Sequence, residues 1–285
     1  SPRLASFLAR FNYVYDGKYV LTANARADAS SKVGENNRWG FFPSTSLAWV
    51  LSEEGFLKDV SFLNNLKLRA GYGVSGNLGA IDSYNSLQLM KPNGVVSVNG
   101  APTVTMGVIR NANPDLKWEV KRTFNVGLDA GFFQNRLILA ADYYHAKTSD
   151  MLYLYDVSVP PFAYNKLLAN LGSMENSGVE LGLGITPLQK KDMELNINVN
   201  VAFQKNKLLS LSGMYNGQYM SAPQYTPIAS LNGAGFHGGN NHIVYQIVGE
   251  SLGVFYLPHC TGLVEQADGS YRYEVADLNG SGVNL

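Results

Sequence analysis

One cysteine, Cys260, in a chain of 285 residues leaves no partner for an intrachain disulfide and no thiolate cluster for zinc or iron–sulfur. Charge is scarce as well: Asp, Glu, Lys and Arg make up 15% of the residues, against about 25% in an ordinary soluble domain. The few charges balance at 22 of each sign, so the basic excess that marks a nucleic-acid binder is missing. No apolar run reaches the length of about 18 residues that a helical membrane span needs. Amphipathic helices with a 3.6-residue period and caps are missing too. A membrane β-barrel stays open, because alternating strands average to neutral hydropathy, and the mean hydropathy here is −0.08.

What is present is alternation. In "MELNINVNVAFQ", residues 193 to 204, Met193, Leu195, Ile197, Val199, Val201 and Phe203 alternate with Glu194, Asn196, Asn198, Asn200, Ala202 and Gln204. Such a stretch is a strand with one apolar and one polar face. Residues 5 to 15 set Ala5, Phe7, Ala9, Phe11, Tyr13 and Tyr15 against Ser6, Arg10 and Asn12, and "DGK" follows as a hairpin turn. Further period-2 runs occupy 19 to 28, 38 to 50, 66 to 72, 119 to 131, 137 to 143 and 177 to 187. Strands of about 10 residues suit a tilted bilayer crossing, which takes about 9–11.

A soluble sandwich would turn the apolar faces inward; a transmembrane barrel turns them to lipid and the polar faces to a wet lumen. The connections separate the two. "DGK", "FQNR" and "QKKD" close tightly, whereas 73 to 117, 148 to 176 and everything from 206 onward read as long polar connections. Alternating short and long connections belong to a barrel with a periplasmic rim and an outer rim. Tyr13, Tyr15, Tyr19, Phe132 and Phe133 crowd the short-turn ends, as an interfacial aromatic girdle does. The expectation is an all-β antiparallel transmembrane barrel portion with long extracellular loops. Residues 1–285 then form a single partial barrel domain, with 206–285 mostly extracellular loop.

Several blocks carry a family resemblance: "RADASSKVGENNRWGFFPSTSLAWVLSEEGFLKD" (26 to 59), "LNNLKLRAGYGVSGN" (63 to 77), "NPDLKWEVKRTFNVGLDAGFFQNRLILAADYYHAKTSDML" (113 to 152), "NLGSMENSGVELGL" (170 to 183), "VGESLGVFY" (248 to 256) and "DLNGSG" (277 to 282). In this order they resemble the SusC/RagA family of TonB-dependent outer-membrane transporters. The resemblance implies a barrel of about 22 strands, plugged by an N-terminal domain, in a Gram-negative outer membrane. It also implies a SusD-like surface lipoprotein as lid, energy from TonB through a segment before residue 1, and oligosaccharide or peptide cargo. Both ends of the chain read as cut, with the plug before residue 1 and closing strands after residue 285. A TonB-dependent siderophore or vitamin receptor is the near alternative. A soluble all-β carbohydrate-binding module is the distant one.

Chemistry-bearing motifs are few, no cofactor is indicated, and an enzyme is not expected. His145, His237, His242 and His259 lack metal-ligand spacing. His259 and Cys260, adjacent in an extended segment, point to opposite faces and make no nucleophile–base pair. "DLNGSG" matches the start of a calcium loop, with Asp277 and Asn279 as oxygen donors, but Ser281 replaces the further acid the family usually shows. A turn held by the Asp277 and Asn279 side chains is the competing reading. Aromatics in the long connections, Tyr84, Tyr153, Tyr155, Tyr164, Tyr215 and Tyr219, could stack on sugar rings. They could equally pack the loops on themselves or against the lid. Lumen charges such as Lys67, Arg69, Asp129, Asp142 and Glu180 are expected to hold the plug or line water.

Overall fold

The computed structural model describes residues 2–230, 242–255 and 260–275. Two compact units divide the chain, 1–222 and 223–285. In the first, β1 (Leu4–Tyr15), β2 (Tyr19–Ser30), β3 (Trp39–Val50) and β4 (Leu63–Asn77) are followed by a separate hairpin, β5 (Leu89–Val98) and β6 (Ala101–Arg110). Then come β7 (Glu119–Phe132), β8 (Leu137–Asp156), β9 (Lys166–Lys190), β10 (Met193–Ser210) and the short pair β11 (Gly213–Tyr215) and β12 (Gln218–Met220). The main sheet has eight strands in the order β1-β2-β3-β4-β7-β8-β9-β10. Every neighbour pair in it is antiparallel. The second unit contains the three-stranded sheet of β13 (Tyr225–Ser230), β14 (His242–Ile247) and β15 (Val254–Phe255), and the hairpin β16 (Cys260–Glu265)–β17 (Tyr271–Val275).

The register builds one continuous apolar face. A single ladder row runs Tyr15, Tyr19, Trp49, Leu68, Leu128, Ala141, Leu181, Val201, one residue from each of the eight strands. Every large side chain in that row is exposed, the least of them Trp49 at 36%. On β10, Met193, Leu195, Ile197, Val199, Val201 and Phe203 lie between 42% and 65% exposed. A sandwich would have buried these faces against a second sheet. Here the apolar face is left exposed across all eight strands, as a barrel in lipid requires.

Tight turns sit where expected. Asp16 (φ 52°) and Gly17 (φ 67°) take the left-handed conformation of the "DGK" hairpin. Gln134 and Asn135 (φ 58° and 61°) do the same between β7 and β8. At this short-turn end, Tyr19 stacks on Trp49 with centroids 6.1 Å apart. Glu54 Oε1 accepts hydrogen bonds from the Tyr19 hydroxyl (2.7 Å) and Trp49 Nε1 (3.0 Å). Phe62, Phe132 and Phe133 form a second aromatic group at the same end.

The long connections are more ordered than their polarity suggests. Residues 148–156 and 166–176, expected as loop, belong to β8 and β9, so only 157–165 connects them. The 73–117 connection begins as strand to Asn77 and contains the β5–β6 hairpin. Alternation records the contrast between lipid and lumen, and beyond the bilayer that contrast ends while backbone pairing continues. A bulge at Asp150 (φ 60°), between the pairs Ser149–Ser173 and Met151–Gly172, lies in this extended part of β8.

Beyond Ser210, β10 no longer pairs β9, and the upper edge of β9 needs other partners. Side-chain amides supply them. Asn111 Nδ2 donates to the carbonyls of Tyr164 and Lys166, and Asn111 Oδ1 accepts from the Ala163 and Tyr164 N–H groups. Asn113 Nδ2 donates to the Leu168 carbonyl (2.7 Å). Asn170 Oδ1 accepts from the Lys117 N–H (2.9 Å), and its Nδ2 donates to the carbonyls of Lys117 and Asp150. All three asparagines are buried. The same 111–118 strap is gripped on its far side by the 33–37 turn. Gly34 N–H donates to the Leu116 carbonyl (2.7 Å), and Asn36 Nδ2 donates to Asp115 (2.7 Å). A Cβ at Gly34 would overlap the Pro114 carbonyl. Val33, Phe42, Ile81, Leu116 and Trp118 close an apolar cluster beneath it.

Two outcomes test this architecture in the full-length protein. Val199→Arg should cost about 2–4 kcal/mol in a bilayer refolding titration, and Asn198→Arg on the polar face much less; equal costs would refute the face assignment. Asn113→Ala strands the Leu168 carbonyl, the Asp115 N–H and the Tyr215 hydroxyl, at about 1–3 kcal/mol for each group left unsatisfied. Deuterium uptake over 111–117 and 164–170 should rise while 193–204 stays protected. Unaltered uptake would mean that the Asn113 amide does not hold the strap, leaving the Asn111, Asn170 and Gly34 hydrogen bonds and the Leu116–Trp118 packing to do so.

Candidate functional site

The polar face carries two distinct chemistries. Toward the short-turn end lies a compensated ion lattice. Arg69 Nε and Nη2 donate to the two Asp129 oxygens at 2.8 and 2.9 Å, and Nη2 also reaches Asp142 Oδ2 at 3.0 Å. Lys67 Nζ adds a contact to Asp129 at 3.1 Å. Arg69 stands opposite Gly127, and Gly127 opposite Asp142, so the guanidinium crosses β7 over a residue without a side chain. A Cβ at Gly127 would strike both Arg69 and the Asp142 carboxylate. Two cations and two carboxylates on β4, β7 and β8 thereby cancel, while Glu180, paired with Asp142 in the ladder, stays exposed. Half-exposed pairs of this kind hold geometry more than they add stability.

Toward the long-loop end, β1–β4 with Leu78 and Trp118 line a groove of about 650 Å³. Its wall includes Arg10, Arg26, Asp28, Ser6, Ser44 and Ser75, and its floor Phe42 and Trp118. Those two rings meet edge to face at 5.3 Å. Arg10 Nε donates to Asn24 Oδ1 (2.7 Å), and Asn24 Nδ2 to Ser44 Oγ (3.1 Å). Arg26 Nε is shared between the two oxygens of Asp28 at 2.9 and 2.7 Å.

The loop aromatics separate by placement. Tyr84 (φ 67°) is 58% exposed and lines a cavity of about 480 Å³ with Lys32, Glu35 and Arg38. Tyr219 on β12 is 65% exposed. Tyr153 and Tyr155 lie on the upper part of β8, not in a loop, with ring centroids 5.2 Å apart. Tyr155 is 1% exposed, packed with Leu167, Ala169 and Met220, so no ring face is open to a ligand. Tyr164, half-buried, is tied by its backbone to Asn111, and the Tyr215 hydroxyl donates to Asn113 Oδ1 at 3.2 Å. The six tyrosines therefore do not form one platform. Asp277 and Asn279, with His237 and His259, lie outside the described residues. Among the described residues no cluster of three or more His, Cys, Asp or Glu could hold a metal ion. Sequence reasoning missed Asn111 and Asn113; their alternate spacing just ahead of Pro114 was the available signal.

Known proteins give this wall its setting. The family model described as TonB dependent receptor-like, beta-barrel, matches residues 3–283. TonB-dependent receptor P26 of Formosa agariphila is 37% identical over 213 residues, covering 74% of this chain and 21% of the relative. TonB-dependent receptor SusC of Bacteroides thetaiotaomicron is 34% identical over 218 residues, covering 76% of this chain and 22% of SusC. The chain thus spans about a fifth of the length of these relatives. Among solved structures, the RagAB peptide importer in its open-open state superposes with a TM-score of 0.76 at 26% identity, over 97% of this chain and 28% of that one. With the family model matched over nearly all its residues, and with its apolar face exposed, the chain belongs to the TonB-dependent receptor-like β-barrels.

Proposed function

We propose that this chain is part of the barrel wall of a SusC-like, TonB-dependent importer that takes up oligosaccharides or peptides across an outer membrane. The observation that carries the reading is the continuous eight-stranded wall, apolar outside and polar inside, in a chain 34% identical to SusC. The structural likeness to a peptide importer supports the peptide arm of the cargo. No bond is made or broken by this chain in such a role. Cargo is captured at the long-loop rim under a SusD-like lipoprotein, and a TonB-driven pull on the plug opens the polar lumen. The Arg69 lattice fixes the wall beside which the plug moves. Tyr84 and Tyr219, whose rings are exposed, are the loop aromatics placed to meet cargo or lid.

In this reading the turns at 16–18, 133–136 and 191–192 are periplasmic. The 157–165 connection and the residues after β10 are extracellular. Labelling with an impermeant thiol reagent on intact cells tests it, after Cys260→Ser, since Cys260 is exposed. Asn216→Cys, in the exposed β11–β12 turn, should react on intact cells lacking the lid. Lys191→Cys should react only once the outer membrane is opened. The opposite pattern would invert the topology and move the binding rim to the periplasm.

A further inference from the structure

The groove at the long-loop end differs from the lattice below it in one respect: its charge is not cancelled. Among the groove's lining residues Arg10 and Arg26 are the two cations and Asp28 is the one carboxylate. Arg10 lies opposite Asn24 and Arg26 opposite Leu8, so the arginines are diagonal neighbours on adjacent strands, with Cβ atoms within about 7–8 Å. Both are exposed, Arg26 with 54% of its side chain open. Each is tethered through Nε only, Arg10 to the neutral Asn24 amide and Arg26 to Asp28. No hydrogen bond from their Nη groups is made to the described residues. On the same face, Lys121 opposite Ser75 adds a cation and Glu119 opposite Asn77 adds a carboxylate held by Asn77 Nδ2 and the Leu152 N–H, so the two arginines keep an excess of positive charge. The neighbouring carboxylates Asp129 and Asp142 are already engaged by Lys67 and Arg69, so they do not neutralise it.

We propose that this groove is an oxyanion subsite of the transport path, in which the free Nη edges of Arg10 and Arg26 receive carboxylate or sulfate groups carried by the cargo. The proposal rests on the import reading and narrows it from any oligomer to an anionic one. A guanidinium held at Nε offers its two Nη groups as a planar fork that matches an oxyanion. Because the tethers to Asn24 and Asp28 fix that fork before the ligand arrives, little ordering cost remains at binding. The hydroxyls of Ser44 and Ser75 can donate further hydrogen bonds along the wall, whereas the Ser6 hydroxyl already donates to Asp28. The floor rings, Phe42 and Trp118, are buried and present no stacking surface, which leaves charge and hydrogen bonding as the means of recognition.

The test uses the full transporter with its lipoprotein partner, and matched pairs of probes. One pair is an oligogalacturonate and its methyl ester. A second is a sulfated oligosaccharide and its desulfated form. A third is a Glu-rich peptide and its Gln counterpart. The readout is the ratio of charged to neutral binding within each pair, for wild type, Arg10→Gln/Arg26→Gln and Arg10→Lys/Arg26→Lys. At least one pair should show a ratio of about ten or more in wild type, falling toward one in the Gln variant and partly kept in the Lys variant, which controls for assembly. The pair that responds identifies the source of the oxyanion. The wild-type preference should also fall as salt is raised. A wild-type ratio of one in every pair would overturn the subsite while leaving import intact. So would a Gln variant that loses charged and neutral probes alike, since the arginines would then be holding the plug. Failure to bind either member of any pair would likewise overturn the subsite, while the thiol-labelling pattern tests the import topology independently.

Discussion

Unpaired backbone groups are what a strand in lipid cannot tolerate, and the rest of this structure follows from that. Each N–H or C=O left open in hydrocarbon costs several kcal/mol, so the eight strands must stay in register from turn to turn. The ladder does this with one partner per residue over most of its length. Outside the bilayer the requirement relaxes but does not vanish, because an open strand edge still recruits other chains. There β9 outlasts β10, and Asn111 and Asn113 take over its carbonyls in place of a strand. An amide can donate and accept at once, so alternate asparagines reproduce a ladder edge without extending the sheet.

The same economy explains why sequence blocks about 80 residues apart meet. "KVGENN" and "NPDLKW" grip one another through Gly34, Asn36 and Asn37, and the strap between them reaches β9. Three connections at the long-loop end become one body, and the Phe42–Trp118 floor of the groove is part of its core. The arginines of the groove thus stand on strands whose upper ends are anchored from both sides. A binding subsite placed on rigid elements keeps its geometry better than one placed on loops.

Much of the fold was legible in the sequence and much of the site was not, for one physical reason. Period-2 alternation marks a residue that sees lipid on one face and water on the other, so the β10 run and the "DGK" turn declared themselves. Above the bilayer both faces see protein or water, and the strand character of 148–156 and 166–176 was hidden. Charges such as Arg69 and Asp129 could be named, but their pairing depends on β4 lying beside β7, across the inserted β5–β6 hairpin. Local patterning cannot supply that neighbour. Tyr155 shows the converse error: its place in the 148–176 connection suggested a loop, yet it is the most completely covered large aromatic in its cluster.

At the opposite rim, Glu54 ties an aromatic girdle to the chain that turns beneath it. It accepts from Tyr19 on β2 and Trp49 on β3, and Lys18 approaches its second oxygen at 3.5 Å. The Tyr19 hydroxyl first, then Trp49 Nε1, hold the Glu54 carboxyl below the ordinary glutamate range. A carboxylate whose folded pKa is depressed contributes stability above its unfolded value and loses it as pH falls through the folded one. The anchor is therefore fully formed at neutral pH and yields only in acid below the usual glutamate titration. Indole and phenol rings favour the membrane interface because one edge is polar; here that polar edge has a fixed acceptor, so the rings hold the vertical position of the wall. A transporter whose plug is pulled from the periplasmic side needs its wall fixed at that rim, and the acceptor sits in the "SEEGFL" turn, where the load would arrive.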